Sequence, residues 1–174
     1  MVALDKVPPF GEEGELRMMV ETPRGSNVKL KYDPALKLFT VARALPLGLA
    51  YPFDWGFIPG TKGEDGDPVD ALAIHDGATF PGVLLPCRPL GVVELEQKGE
   101  EGGREKNPRL ILMPTWHDRL GELEKATELP ARFREEIEQF FLSATFFTDK
   151  AAKIKGWRGP KAAEKLVRAN LSKA

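Results

Sequence analysis

The stretch Val28-Lys29-Leu30-Lys31-Tyr32 alternates apolar and charged side chains, so a strand here carries both lysines on one face and the three apolar groups on the other. A period of two cannot be kept by a helix, and the same texture continues to either side. Short apolar runs recur between glycine and proline clusters, and the chain holds 17 glycines and 15 prolines. They predict strands at 16–21, 28–32, 38–43, 55–58, 69–75, 82–96 with a break at 86–89, and 109–113. After Pro130 the period changes. Phe133, Ile137, Phe140, Phe141 and Ala144 recur at helical spacing with Arg132, Arg134, Glu135, Glu136 and Glu138 between them, which predicts an amphipathic helix with Pro130 in its first turn. A second helix is expected from Gly159-Pro160 through Ala163, Leu166 and Val167 to the end. Strands first and helices last imply an α+β domain, a small barrel or sheet with helices outside.

With 174 residues, 42% of them hydrophobic, the chain can bury one sizeable core, and a single domain over 1–174 is expected. Lysine plus arginine number 25 against 26 acids, so the net charge of -1 exerts no global pull toward nucleic acid or an anionic membrane. The longest uncharged run, residues 77–87, has 11 residues and two prolines, well short of the ~20 apolar residues that span a bilayer. The opening Met1-Val2-Ala3-Leu4-Asp5-Lys6 shows no basic segment leading into an apolar one, and Cys87 has no second cysteine to pair with. A cytoplasmic protein is expected. One cysteine and two histidines leave little for a zinc site, so oxygen ligands are the plentiful metal chemistry.

Charge is segregated along the chain. Residues 22–53 carry Arg24, Lys29, Lys31, Lys37 and Arg43 against Asp33 alone, whereas residues 54–76 carry six acids against Lys62 alone. Laid side by side, the two segments suit a phosphate-rich anion carried on divalent cations. The acidic focus is Glu64-Asp65-Gly66-Asp67-Pro68-Val69-Asp70, on a Gly/Pro turn that feeds an apolar strand. Carboxylates about 5 Å apart repel by roughly 3 kcal/mol per pair at an effective dielectric of about 20. Mg²⁺ relieves that repulsion and can activate a water; a solvated acidic turn is the alternative for the stretch taken alone. An EF-hand loop is excluded, because its fifth and sixth positions counted from Asp65 are Val69 and Asp70. An aspartyl-nucleophile phosphatase needs an apolar strand before its aspartate, where this chain has Gly60-Thr61-Lys62-Gly63-Glu64, and the lysine there fits no Walker A loop.

Taken in order, Glu21-Thr22-Pro23-Arg24-Gly25-Ser26, Lys29, Arg43, Tyr51-Pro52, Trp55-Gly56-Phe57-Ile58, Asp65-Gly66-Asp67-Pro68-Val69-Asp70 and Cys87-Arg88-Pro89-Leu90-Gly91-Val92 resemble the soluble family I inorganic pyrophosphatases; Phe140-Phe141 and Gly156-Trp157 extend the match more weakly. The resemblance implies a distorted five-stranded, OB-like β-barrel with two flanking C-terminal helices. It also implies Mg²⁺-dependent cleavage of pyrophosphate, with Mn²⁺ as another usable cation, a cytoplasmic location and a homo-oligomer, in bacteria a hexamer. Residue by residue, Asp65 and Asp70 match metal ligands and Asp67 the general base for the attacking water. Lys29 and Arg43 match the grip on pyrophosphate oxygens, Glu21 a carboxylate that orders water, and Tyr51 a phenol of the same network.

The departures concern chemistry more than fold. Lys31 stands at a family glutamate and Trp55 at a tyrosine, and both are expected to meet substrate. Gln97 and Asn107 align with two aspartates, Asn107 remaining a metal ligand, and Arg109 aligns with a substrate-binding lysine. Ala144-Thr145 replaces a tyrosine-lysine pair that holds phosphate. Fewer bound Mg²⁺ ions are expected, with Lys31 supplying part of the missing positive charge. Two other readings stay open: a non-catalytic binder of a phosphate-containing ligand, and a phosphohydrolase of larger phosphoanhydrides. Residues 94–109 are expected to form a mobile loop; Cys87, Phe140, Phe141 and Trp157, the last under the C-terminal helix, to be packing residues; and His75 and His117 to be structural or exposed.

Overall fold

In the computed structural model, which describes residues 4–116, 119 and 122–172, eight strands precede the first α-helix. They are β1 (Leu16–Thr22), β2 (Val28–Asp33), β3 (Leu38–Ala44), β4 (Asp54–Phe57), β5 (Asp70–Ala73), β6 (Leu84–Lys98), β7 (Arg104–Lys106) and β8 (Arg109–Pro114); α1 (Ala131–Ala144), β9 (Lys153–Arg158) and α2 (Pro160–Ala169) follow. β1 pairs with β4, β4 with β5, β5 with β8, β8 with β6, and β6 with β1 again, so five strands close a ring. All these pairings are antiparallel except β5 with β8. The expected α+β architecture of a five-stranded, ring-like sheet with two helices is the one observed. β2 and β3 form a separate two-stranded sheet.

The ring strands are buried on both faces, which explains runs with no polar alternation such as Ala71-Leu72-Ala73-Ile74 and Leu110-Ile111-Leu112-Met113. Ala71, Ala73, Leu110 and Leu112 share one core cluster with Ala163 and Val167 of α2. Leu72, Ile74, Ile111 and Met113 share the other with Ile137, Phe140, Phe141 and Ala144 of α1. The predicted stripe of α1 is therefore the face that covers the ring. Pro130 lies just outside α1 as its N-cap.

Four expectations need correction. β6 runs unbroken through 86–89: Pro86 lies opposite Arg17, Pro89 opposite Leu112, and the irregularity falls between Pro89 and Gly91. Proline is tolerated in a strand at such an irregular point, where no ladder donor is needed. Gly91 is required there, since a Cβ would come within 2.1 Å of the Arg158 carbonyl oxygen on β9. Residues 94–109, expected as a loop, form a hairpin of β6 and β7, with Gln97 Nε2 donating to Glu105 Oε1 at 3.0 Å; cross-strand polar pairing holds what composition alone read as disorder. Trp157 lies on β9 with the α1 cluster, its Nε1 donating to Glu138 Oε1 at 2.6 Å. α2 stops at Ala169, because Asn170 turns its side-chain amide back to the Leu166 carbonyl at 2.8 Å and Leu171 bridges to Thr61. His117 lies outside the described residues; His75 and Cys87 are buried.

Candidate active site

The lysine face read from residues 28–32 points into a cavity of about 900 Å³. In the β2–β3 register Lys29 stands opposite Arg43 and Lys31 opposite Thr40, which sets Lys29 beside Arg43. The acidic turn is built from its own backbone. Gly63 donates its N–H to the Asp67 carbonyl at 2.7 Å, Asp67 its N–H to Asp65 Oδ1 at 3.1 Å, and Gly66 takes φ +82, a value natural for glycine. Ring closure then carries Asp70, the first residue of β5, and Arg109, the first of β8, to the same place. The acids Glu21, Asp65, Asp67 and Asp70 and the bases Lys29, Lys31, Arg43 and Arg109 all line this cavity, together with Asn107.

Two ion pairs cross it. Lys31 Nζ donates to Asp67 Oδ2 at 2.8 Å, with both side chains about half exposed. Arg109 Nη1 donates to Asp70 Oδ2 and to Asn107 Oδ1, and the guanidinium carbon lies 5.2 Å from the centre of the Trp55 ring. Burial lowers the Lys29 ammonium from its ordinary range, with Arg109 and Arg43 adding to the effect and Asp70 and Glu21 opposing it. Burial also pulls Lys31 down, but the bond to Asp67 and the charges of Asp67, Glu21 and Asp70 outweigh it, and Lys31 is raised. Asp65 is raised by burial and by its neighbours Asp70 and Asp67, against the Asp67 N–H and Arg109.

Glu21, buried on β1, accepts the Tyr32 N–H at 2.8 Å, and burial pushes its pKa from 4.5 to about 7. Between these values the unfolded chain releases its proton while the folded chain keeps it. The contribution of Glu21 to stability is therefore full below pH 4.5, is lost as pH rises to about 7, and is level above. The loss amounts to about 3 kcal/mol. Urea unfolding without divalent cations is expected to show this decline, and Glu21→Gln to flatten it; parallel curves for the two proteins would contradict the assignment.

Among the described residues no three carboxylate, imidazole or thiol groups converge closely enough to hold a metal ion by themselves. Mg²⁺ does not require that, since it is usually held by one or two carboxylates, waters and substrate phosphates. Asp65 forms no ion pair among the described residues, and Asp70 engages Arg109 through Oδ2 only. The donor set thus fits a sparsely ligated Mg²⁺. Asn107, expected as a ligand, has its carbonyl oxygen turned to Arg109.

Tyr51 and Trp55 stand behind the wall, not in it. Both are buried with α1: Tyr51 is edge-on to Phe140 at 5.0 Å, and Trp55 to Phe141 at 6.0 Å. Among the described residues Trp55 Nε1 has no hydrogen-bond partner, and Arg109 covers the ring where a substrate contact was expected. Burial raises the Tyr51 phenol far above its ordinary range. Thr145, Thr148, Lys150 and Gln97 also line the cavity. Lys150 was missed because it lies beyond the α1 stripe, on which helical periodicity gives no information. Also missed was Asp54, which accepts the Arg24 N–H at 2.8 Å, the Thr79 hydroxyl at 2.7 Å and a bond shared with His75 Nε2 at 3.0 Å. In the sequence it counted only as one acid of a charged segment.

The chain is similar to known proteins over nearly its whole length. A family described as inorganic pyrophosphatase matches residues 18–174. The inorganic pyrophosphatase of Thermus thermophilus is 35% identical over 170 residues, covering 95% of this chain and 94% of that protein. That of Synechocystis sp. is 31% identical over 164 residues and 94% of each chain. The crystal structure of the Thermus thermophilus enzyme superposes with a TM-score of 0.89 at 33% identity, covering 98% of this chain and 97% of that one.

Proposed function

The chain belongs to the inorganic pyrophosphatase family, and from that premise we propose that it hydrolyses pyrophosphate to two phosphates in the cavity between the β2–β3 hairpin and the acidic turn. The observation that carries this reading is the meeting of Lys29 and Arg43 with Asp65, Asp67 and Asp70 in one cavity. Fixed cations there neutralise a highly charged substrate, and a carboxylate beside them can take the proton of an attacking water. Lys29 and Arg43 bind phosphate oxygens. Asp67 accepts the water's proton as the water oxygen bonds to one phosphorus and the bridging oxygen leaves with the other. Lys31, paired with Asp67, holds that carboxylate in place and can shift to a substrate oxygen; Glu21 orders water, and Tyr51 supports it from behind. Arg109 uses Nη1 in both of its bonds, which leaves Nε and Nη2 for the leaving phosphate, and Trp55 acts through Arg109. Asp65 is the carboxylate that would hold Mg²⁺ or Mn²⁺, and Asp70 and Asn107 would join it only on release from Arg109. A bound cation supplies positive charge for the phosphate oxygens and makes a water more acidic.

The same proposal takes residues 1–174 as one cytoplasmic domain that assembles into a homo-oligomer, a hexamer by resemblance, with a small anion rather than nucleic acid as partner. It is supported by the near-neutral net charge of -1 and by the absence, among the described residues, of a helix long and apolar enough to cross a membrane. The test is phosphate release by the purified chain with Mg²⁺ and a panel of pyrophosphate, tripolyphosphate and a nucleoside triphosphate. Two phosphates per pyrophosphate, with pyrophosphate the fastest substrate, is the expected result. Calorimetric binding without turnover would overturn it in favour of a phosphate-binding relative, the reading favoured by the ion pairs on Asp67 and Asp70.

A further inference from the structure

The two ion pairs in the cavity differ in kind. Lys31 and Asp67 have side chains 47% and 56% exposed, so that pair is solvated and easily exchanged. Arg109 and Asp70 have side chains only 10% and 20% exposed. A buried guanidinium persists only if its surroundings replace water, and here they do so from three directions: the Asp70 carboxylate, the Asn107 carbonyl oxygen and the Trp55 ring face. The neighbouring Gln97 is spent on Glu105. Arg109 and Asp70 cancel, and Asn107 and Gln97 are neutral, so this end of the cavity offers no net negative charge. Asp65 offers the opposite: it lines the same cavity without an ion pair among the described residues.

We propose that Arg109 is a built-in counter-cation, supplying to Asp70 and Asn107 the positive charge that a second divalent ion would otherwise bring, so that the substrate-free site binds a single divalent cation on the Asp65 side. This rests on the pyrophosphatase reading of the cavity and specifies its metal requirement. Trp55 and Asn107 act with Arg109 as a set: the indole gives the guanidinium a face, and the amide accepts its hydrogen bond without adding charge. An aspartate at 107 with a shorter or neutral side chain at 109 would restore a cation-binding pair.

Mn²⁺ binding to the substrate-free protein, followed by electron paramagnetic resonance of the free ion, tests the proposal without reference to turnover. The wild type is expected to bind one equivalent per chain, and the double variant Arg109→Met with Asn107→Asp a second. Two or more tight equivalents in the wild type would overturn the proposal, and so would a folded double variant that still binds only one. If the double variant fails to fold, Asn107→Asp alone decides. With Arg109 in place it is expected to stay at one equivalent, and a second tight equivalent would show that Arg109 does not hold the position. Loss of phosphate release alone would count against the proposed reaction and leave this count unaffected.

Discussion

Asp67→Asn is expected to lower phosphate release from Mg-pyrophosphate by about 10²–10⁴-fold, the usual worth of a general base. The substitution isolates that role because the fold depends little on the charge. The side chain is 56% exposed, and its bond from Lys31 Nζ at 2.8 Å can be accepted by an amide oxygen as well as by a carboxylate. Surface changes of this sort shift stability by no more than about 0.5 kcal/mol, so the folded fraction should not move. An amide oxygen cannot take up a proton at neutral pH, and proton uptake is the role assigned to this position. Equal rates for wild type and variant would remove Asp67 from the mechanism.

Asp54→Ala is expected to destabilise the fold by about 3–5 kcal/mol, as breaking a buried polar network does. Asp54 is fully buried, and its two oxygens serve the Arg24 N–H, the Thr79 N–H at 3.1 Å, the Thr79 hydroxyl and His75. Burial alone would raise its carboxyl, but the bonds from His75, Arg24 and Thr79 outweigh that and hold it below the ordinary aspartate range. Truncation removes the acceptor of buried His75 and of the part-buried Arg24 and Thr79 donors, at a cost of about 1–3 kcal/mol for each donor that water cannot reach. The effect reaches the site through β4, because the next residue is Trp55, on which Arg109 rests. The urea midpoint should fall accordingly, with Asp54→Asn intermediate, since it keeps the volume and one acceptor. A loss below about 1 kcal/mol for the alanine variant would show that the network is not closed as described.

What could be read from the chain follows from which interactions are local. Alternation at Val28–Tyr32 set Lys29 and Lys31 on one face, and the stripe from Phe133 to Ala144 set the buried face of α1, because strand and helix periods are properties of neighbouring residues. The Asp65–Asp70 turn was legible for the same reason. Residues 94–109 were misread, since their pairing partners lie on β6 and β9 and charge composition says nothing about register. Asn107 and Arg109 could be assigned only singly; that one binds the other, and that Trp55 underlies them, depends on ring closure bringing β4, β5 and β8 together. Asp54 shows the limit most clearly: an acid in a charged run is buried among donors from 24, 75 and 79, a meeting that no local pattern announces.

Anomalous scattering from crystals grown with Mn²⁺ and a non-hydrolysable pyrophosphate analogue tests the site most directly. The expected result is a Mn²⁺ peak on the Asp65 carboxylate and analogue phosphates in contact with Lys29 and Arg43. An analogue bound outside this cavity, or one whose phosphates touch neither base while the cation sits away from Asp65, would contradict it.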